Sequence, residues 1–306
     1  MSDPKILYAG PSPRGGHRLS LAARCMQLFA FAERDAEKPR PHKDPLVIGS
    51  LLHLALAQHY RRMKALQEGT PVEEWATPKV AVELIARLER YDRKHVAIVG
   101  ETYQAYAAAR PMKEEIRQFR VLNVEAARSA HISWDGKGPY LFTGRQDLEI
   151  EDSEGRVWVW DHKTTARITG SQEVFYGLSA QFLGYGYLAR QEYGRRFAGL
   201  DVNLIQHTQS GSFKNKWIRF PRSEYAERNF PRFVVDIETR IDAVRTEMQA
   251  QGRGLGDWPK ARHELVCFPR YGKCPHTHEC FYGPADQTAD LDIDPAHFPH
   301  KHRWKS

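Results

Sequence analysis

The order of elements predicts an α/β fold in which a mixed central sheet is flanked by helices. Three features carry that reading. Helical periodicity fills the first third of the chain, strand patterns replace it near Phe119, and a helix follows the third strand before two more strands. Hydrophobic residues make up 41% and charged residues 27% of the 306 positions, enough for one large core or two modest ones, which excludes a disordered polar chain.

Taken in order, residues 1–17 are rich in Gly, Pro and Ser and read as a leader. Leu19 to Ala32 has the apolar spacing of one helix that contains Cys25, and Pro39, Pro41 and Pro45 then impose a connector. Ile48 to Leu66 is a second helix, with Leu52, Leu56 and His59 at helical spacing and His53 beside that stripe. Pro78 to Arg110 is a third helical region. Phe119–Glu125, Tyr140–Ile150 and Arg156–Lys163 read as strands, and Asp152-Ser-Glu-Gly155 between the last two is a hairpin turn in which Gly155 can take the positive φ required. A helix from Glu173 to Tyr193, strands at Val202–His207 and Trp217–Phe220, and a helix from Arg222 to Gln249 complete the regular part.

No apolar run approaches the roughly 20 residues of a membrane span, and no signal-peptide pattern opens the chain, so a cytoplasmic protein without membrane contact is expected. The net charge of +7 permits a polyanionic partner such as nucleic acid without requiring one. Three of the four cysteines fall within the fourteen residues 267–280, a clustering that in a cytosolic chain favours metal or cluster ligation over disulfides. No phosphate-binding G-x-x-x-x-G-K-[ST] motif occurs, so any helicase would be a separate partner chain.

The most informative segment is Gly144-Arg-Gln-Asp147, followed by Asp161-His162-Lys163. Alternation along a strand sends Asp161 and Lys163 to one face and His162 to the other, and the hairpin brings Asp147 alongside. Two carboxylates can hold a hard cation, and a lysine can help to generate or orient hydroxide, the parts that phosphodiester hydrolysis needs. Alternatively Asp161 and Lys163 are a solvent-facing alternation on an edge strand, which contributes little. The preceding Val157-Trp-Val-Trp160 is apolar on both faces, as in a buried strand, where charges are costly without a task.

With Gly49-Ser-Leu-Leu-His53 before these motifs and Gln181-Phe-Leu-Gly-Tyr185 after them, the chain resembles the RecB-type nucleases of the PD-(D/E)XK superfamily. The resemblance spans about Leu19 to Tyr282 and implies a PD-(D/E)XK restriction-endonuclease-like core. It implies that His53, Asp147 and Asp161 bind Mg²⁺ or Mn²⁺, that the backbone carbonyl of His162 adds an oxygen, and that Lys163 positions or deprotonates the attacking water. Gln181 and Tyr185 would support the site and the nucleic-acid backbone. Glu125 falls near the metals without an assigned role. The function so implied is a metal-dependent deoxyribonuclease, an exonuclease acting on DNA ends or single strands in recombination, repair or processing, with a recombination or helicase protein as a partner. Alternatives are a structure-specific endonuclease and a non-catalytic iron–sulfur DNA-binding protein.

Cys25, Cys267, Cys274 and Cys280 resemble the iron–sulfur staple of the AddB-type and CRISPR-associated branches of that family, which implies a [4Fe–4S] cluster tying the chain ends together. The trio here is more widely spaced than in those branches, with six residues between Cys267 and Cys274. A structural Zn²⁺ site would use the same thiolates, with His276 and His278 as possible substitutes, and Cys25 alone could be a buried core cysteine. The domain reading is one nuclease domain over residues 1–283, including the staple, and a tail over 284–306 in which His297, His300 and His302 stand among prolines and basic residues.

Overall fold

The computed structural model describes residues 12–36, 44–71, 77–207, 213–261, 264–267 and 274–282. The 284–306 tail, Pro39, Pro41 and most of the 1–17 leader lie outside them. The chain divides into two compact units: residues up to Ser20 with Pro39–Thr239, and Leu21–Lys38 with Arg240 onwards. Among the described residues, no helix is long and apolar enough to cross a membrane.

The first unit is built on a five-stranded mixed sheet of sequential order, β1 (Phe119–Trp134), β2 (Lys137–Asp152), β3 (Val157–Thr165), β4 (Phe197–Gln206) and β5 (Lys214–Pro221). Only β3 and β4 are parallel, because a helical crossover joins them. Strand β1 runs nine residues beyond the predicted end at Glu125. The polar Arg128, Ser129 and His131 disguise that extension, which pairs with β2 as far as Trp134↔Lys137.

Helices α3 (Asp44–Glu68), α4 (Pro78–Leu88) and α5 (Arg93–Ala109) pack together through Leu51, Leu52, Leu56, Val82, Ile85, Val99 and Tyr106. The sheet face toward α3 carries Trp158 and Trp160 against Tyr60 and Met63, and the other face sets Val159 against Ala189. A strand covered on both faces reads as continuously apolar, which is why the Val-Trp-Val-Trp run was legible. Pro45 lies inside the first turn of α3 and not in a connector: its missing N–H is one that a helix start leaves unpaired anyway.

Two helices predicted as continuous are broken. The region after β3 splits into α7 (Ser171–Gly177) and α8 (Ala180–Tyr193), with Ser179 accepting a hydrogen bond from the Gln181 N–H as the N-cap of α8. The first predicted helix splits into α1 (Gly16–Arg24) and α2 (Met26–Arg34) at Cys25, which is extended at φ −163°, ψ 121°. The short α6 (Met112–Glu115) precedes β1, and α9 (Glu224–Ala250) follows β5 and carries Pro231 within it.

The second unit joins α2 to segments far along the chain. The Gln27 side chain donates to the Leu255 carbonyl at 2.7 Å, its backbone N–H to that of Pro259 at 3.0 Å, and Phe29 meets Trp258 with ring centroids 5.9 Å apart. Two short helices, α10 (Glu264–Cys267) and α11 (Thr277–Tyr282), complete its described part.

Candidate active site and cysteine cavity

The β2–β3 ladder pairs Leu148 with Trp160, so continuing that register by one step sets Asp147 beside Asp161. The Asp147 Oδ2 accepts the His162 backbone N–H at 2.8 Å and stands 3.1 Å from His53 Nδ1. His53 comes from α3, whose passage over β3 is close: a Cβ on Gly49 would stand 3.0 Å from the Thr164 hydroxyl. Gly144 has a similar reason, since a Cβ there would meet Leu188 at 2.7 Å and the Tyr185 ring at 3.1 Å. The two motif glycines thus mark where helices press against the strands that carry the acids.

Asp161 is buried, with Lys163 Nζ 2.6 Å from its Oδ2. The Lys163 ammonium is the one partner of Oδ2, and the buried Oδ1 of Asp161 has no hydrogen-bond donor among the described residues. Burial raises the Asp161 carboxyl to about 6 despite the lysine. Burial also raises Asp147, but His53 and Lys163 outweigh it and hold that carboxyl well below its ordinary range. Desolvation lowers Lys163, and Asp161 with Asp147 overcomes it and raises the ammonium pKa above the usual value. Two acids side by side with pKa values pushed apart are typical of functional sites.

Glu125, which the sequence left without a role, reaches the same place. Ligand atoms of His53, Glu125 and Asp147 lie within 4.8 Å of one another. Burial, then the charge of Asp147, raises the Glu125 carboxyl to about 7. Its backbone has φ 54°, a left-handed conformation uncommon for a residue with a side chain, in the middle of a strand. No sequence signal announces that turn of the backbone. Arg61 and Arg145 are near enough to lower the Glu125 pKa electrostatically, and Arg61 has a buried guanidinium nitrogen with no hydrogen-bond acceptor. Their visible signals are positional: Arg61 is two helical turns after His53, and Arg145 lies inside the Gly144–Asp147 motif.

The His162 side chain turns to the opposite face as the strand alternation predicts, stacked on Tyr60 at 5.8 Å and 11° and 3.2 Å from the Asn203 side-chain amide. Burial lowers its pKa to about 3, so the ring is neutral. Gln181 donates to the Tyr185 hydroxyl at 2.9 Å, and the Lys163 ammonium lies 5.5 Å over the ring of Phe182 between them. Buried Tyr185 also offers its backbone carbonyl to Gln146 at 2.9 Å, which ties α8 to β2 just before Asp147.

In the second unit, Cys25, Cys267, Cys274 and Cys280 all line one cavity of about 250 Å³. All four are free thiols. The break between α1 and α2 falls at Cys25 itself, and the Cys274 N–H donates to the Cys267 carbonyl at 2.6 Å. Burial, followed by the other three sulfurs, raises the Cys280 thiol to about 11. Four thiols around one shared cavity suit a group that would take them as thiolate ligands in place of their protons. His276 also lines the cavity, but its ring packs on Phe31 at 4.7 Å and faces Glu279 at 3.8 Å; the side chain of His278 lies outside the described residues.

A solved protein of Eubacterium rectale, provisionally named an exonuclease, is 11% identical over 91% of this chain and 93% of its own, with a TM-score of 0.45. The solved protein SSO0001 is 12% identical over 70% of this chain and 84% of its own, with a TM-score of 0.30. No curated protein matches the chain. The PD-(D/E)XK nuclease superfamily matches residues 17–281, nearly the whole chain, and the chain belongs to that superfamily.

Proposed function

We propose that the chain is a Mg²⁺- or Mn²⁺-dependent deoxyribonuclease of the RecB-like branch, an exonuclease that hydrolyses DNA phosphodiesters at ends or in single strands during recombination, repair or processing. The observation that carries the reading is the convergence of His53, Asp147, Asp161 and Lys163, with the buried Oδ1 of Asp161 left without a hydrogen-bond donor. Such a carboxylate is costly to ionise unless a cation takes its place among the ligands. The fit is to a hard cation, because the donors are carboxylate oxygens with one imidazole.

His53, Asp147 and Asp161, the His162 carbonyl and, by its place in the cluster, Glu125 would hold that ion, which would supply Lewis acidity toward the scissile phosphate. Lys163, held positively charged by Asp161 and Asp147, is better suited to orient the attacking water and offset developing negative charge than to remove a proton. Gln181 and Tyr185 would position Lys163 and the nucleic-acid backbone from α8. The exonuclease preference and the helicase or recombination partner rest on the family branch that the motifs resemble.

The four cysteines are proposed to hold a [4Fe–4S] cluster, since four thiols around one cavity are the donor set that it requires, whereas the His276 ring is engaged with Phe31 and Glu279. Zinc on the same thiolates is the alternative. The nuclease reading is tested with purified protein on single-stranded and duplex DNA in Mg²⁺ and in Mn²⁺. Lys163→Ala and Asp161→Asn should each reduce cleavage by at least about a hundredfold while circular dichroism is unchanged. Wild-type cleavage by the Lys163→Ala protein, or full activity in excess chelator, would sink it.

A further inference from the structure

Beyond Lys163, strand β3 runs into a basic hollow. Ala166, Arg167 and Ile168 with Gln206, Lys214, Asn215 and Lys216 line an open cavity of about 710 Å³ that has three cations and no acid among its described lining residues. Its walls are the ends of three adjacent strands, with Thr165 paired to Gln206 and Gln206 to Lys214. Among the described residues, Arg167 and Lys214 have no acidic partner, and Lys216 faces only the exposed Glu173 at 3.7 Å, a contact too solvated to occupy it.

The helix α7 borders this hollow and is fastened to it. The Gln172 side chain accepts the Thr169 N–H at 2.7 Å and donates to the Thr165 hydroxyl at 3.3 Å, and the Ile168 N–H donates to the Gln206 side chain at 3.3 Å. Yet no α7 side chain is fully buried, and only Tyr176 packs partly against the core that holds Phe182 and Tyr185. It presents Val174 and Phe175, and just past its end Leu178, at 66%, 62% and 76% exposure. Isolated exposed apolar residues are ordinary; three together on a helix fixed beside a cation-lined hollow are not accounted for by packing. A relay of rings joins this face to the candidate active site: Phe175 meets Tyr176 at 5.3 Å, Tyr176 meets Phe182 at 5.4 Å, and the Lys163 ammonium stands 5.5 Å over Phe182.

We propose that α7 and the Arg167–Lys214–Lys216 hollow form a platform for single-stranded DNA leading to the active site, an inference that rests on the nuclease reading for its substrate. The chemistry is complementary on both counts. An unpaired strand offers phosphates to the cations and base faces to Phe175 and its apolar neighbours, the combination by which single strands are bound without regard to sequence. A duplex hides those faces within its stack and could use only the cations. A protein partner would use the apolar face and leave the hollow unexplained.

The test is binding of a fluorescent thymidine oligonucleotide of about twenty residues and of a blunt duplex of the same length, in Ca²⁺, by anisotropy. A Val174→Ser, Phe175→Ala, Leu178→Ser protein should bind the single strand about tenfold or more weaker, with little change on the duplex. Its KM for single-stranded substrate should rise at unchanged kcat, and hydrolysis of bis(p-nitrophenyl) phosphate should be unaffected. Lys214→Ala with Lys216→Ala, which leaves α7 intact, should weaken binding and flatten its salt dependence by about 1.4 logarithmic slope units. Single-strand affinity unchanged in both variants overturns the platform. So does a wild-type dimer that the α7 variant disperses without loss of DNA affinity, which reassigns the face to a protein partner. A wild type that binds DNA but cannot cleave it removes the nuclease reading, and the binding comparison still decides the platform.

Discussion

Glu125 is the residue at which local propensity and site chemistry disagree most openly. A side-chain-bearing residue at φ 54° within a strand costs on the order of 1 kcal/mol or more, and the return is a carboxyl delivered to within 4.8 Å of the His53 and Asp147 ligand atoms. Its pKa near 7 and that of Asp161 near 6 are both raised. The metal-free folded chain therefore binds more protons than the unfolded chain between their ordinary values and those raised ones. The contribution of these two groups to stability is greatest below about pH 4 and is lost as pH rises through 6 and 7. Asp147, held low, has the opposite sign and acts only in stronger acid. In excess chelator, Glu125→Gln should therefore melt higher than wild type at about pH 8 and close to it at about pH 5. Added Mn²⁺ should raise the wild-type Tm more at the higher pH, and raise the variant less than wild type, because a ligand has gone. A Glu125→Gln protein that gains as much from Mn²⁺ as wild type would remove Glu125 from the ligand set.

At the scale of elements, the parts legible in the sequence were those where one physical rule acts alone. The β2–β3 hairpin was readable because Gly155 marks the turn at φ 75° and the apolar run marks a covered strand. The breaks at Cys25 and between α7 and α8 were not, because nothing in local composition forbids a continuous helix there and tertiary partners decide. Asp147, Asp161 and Lys163 were read as neighbours from strand alternation and the hairpin, His53 was named only by the family resemblance, and Glu125 and Arg61 needed the backbone itself. Gly144 shows how a motif letter becomes a packing constraint. Gly144→Ala would drive a methyl into Leu188 and the Tyr185 ring, an overpacking that costs about 1–3 kcal/mol. The thermal midpoint should fall by about 2–6 °C, and cleavage should drop beyond that loss, since Tyr185 is moved from its bond to Gln181. Trimming Leu188 to Val in the Gly144→Ala background should recover part of the Tm. A single Gly144→Ala variant as stable as wild type would refute the close approach of β2 and α8.

At the scale of the whole chain, the second unit collects cysteines from both ends of the sequence around one cavity, with about 240 residues between Cys25 and Cys267. The clustering of the three C-terminal cysteines was legible as ligation by some metal or cluster; that Cys25 joins them at one cavity was expected from the family resemblance alone, because no local rule connects positions so far apart. A link across so long a loop restricts the unfolded chain strongly, by about 5–6 kcal/mol on the chain-entropy model, before any strain. Without the group, four thiols and the half-buried Arg34–Glu279 pair, joined at 3.0 Å on one side of its fork, are left to hold α2 to α11. Cys274→Ser should therefore lower the Tm by more than an ordinary surface change and increase proteolysis near the C-terminus, while Arg34→Ala, which leaves every thiol in place, should have the smaller effect. Anaerobically purified wild type should be brown, with iron and acid-labile sulfide in equal amounts, and Cys274→Ser should be colourless. Colourless wild type from iron-replete cells with stoichiometric zinc would replace the cluster by a four-thiolate zinc site and keep the same order of stabilities. Wild type with neither metal, as stable as Cys274→Ser, would leave the cavity without a structural group.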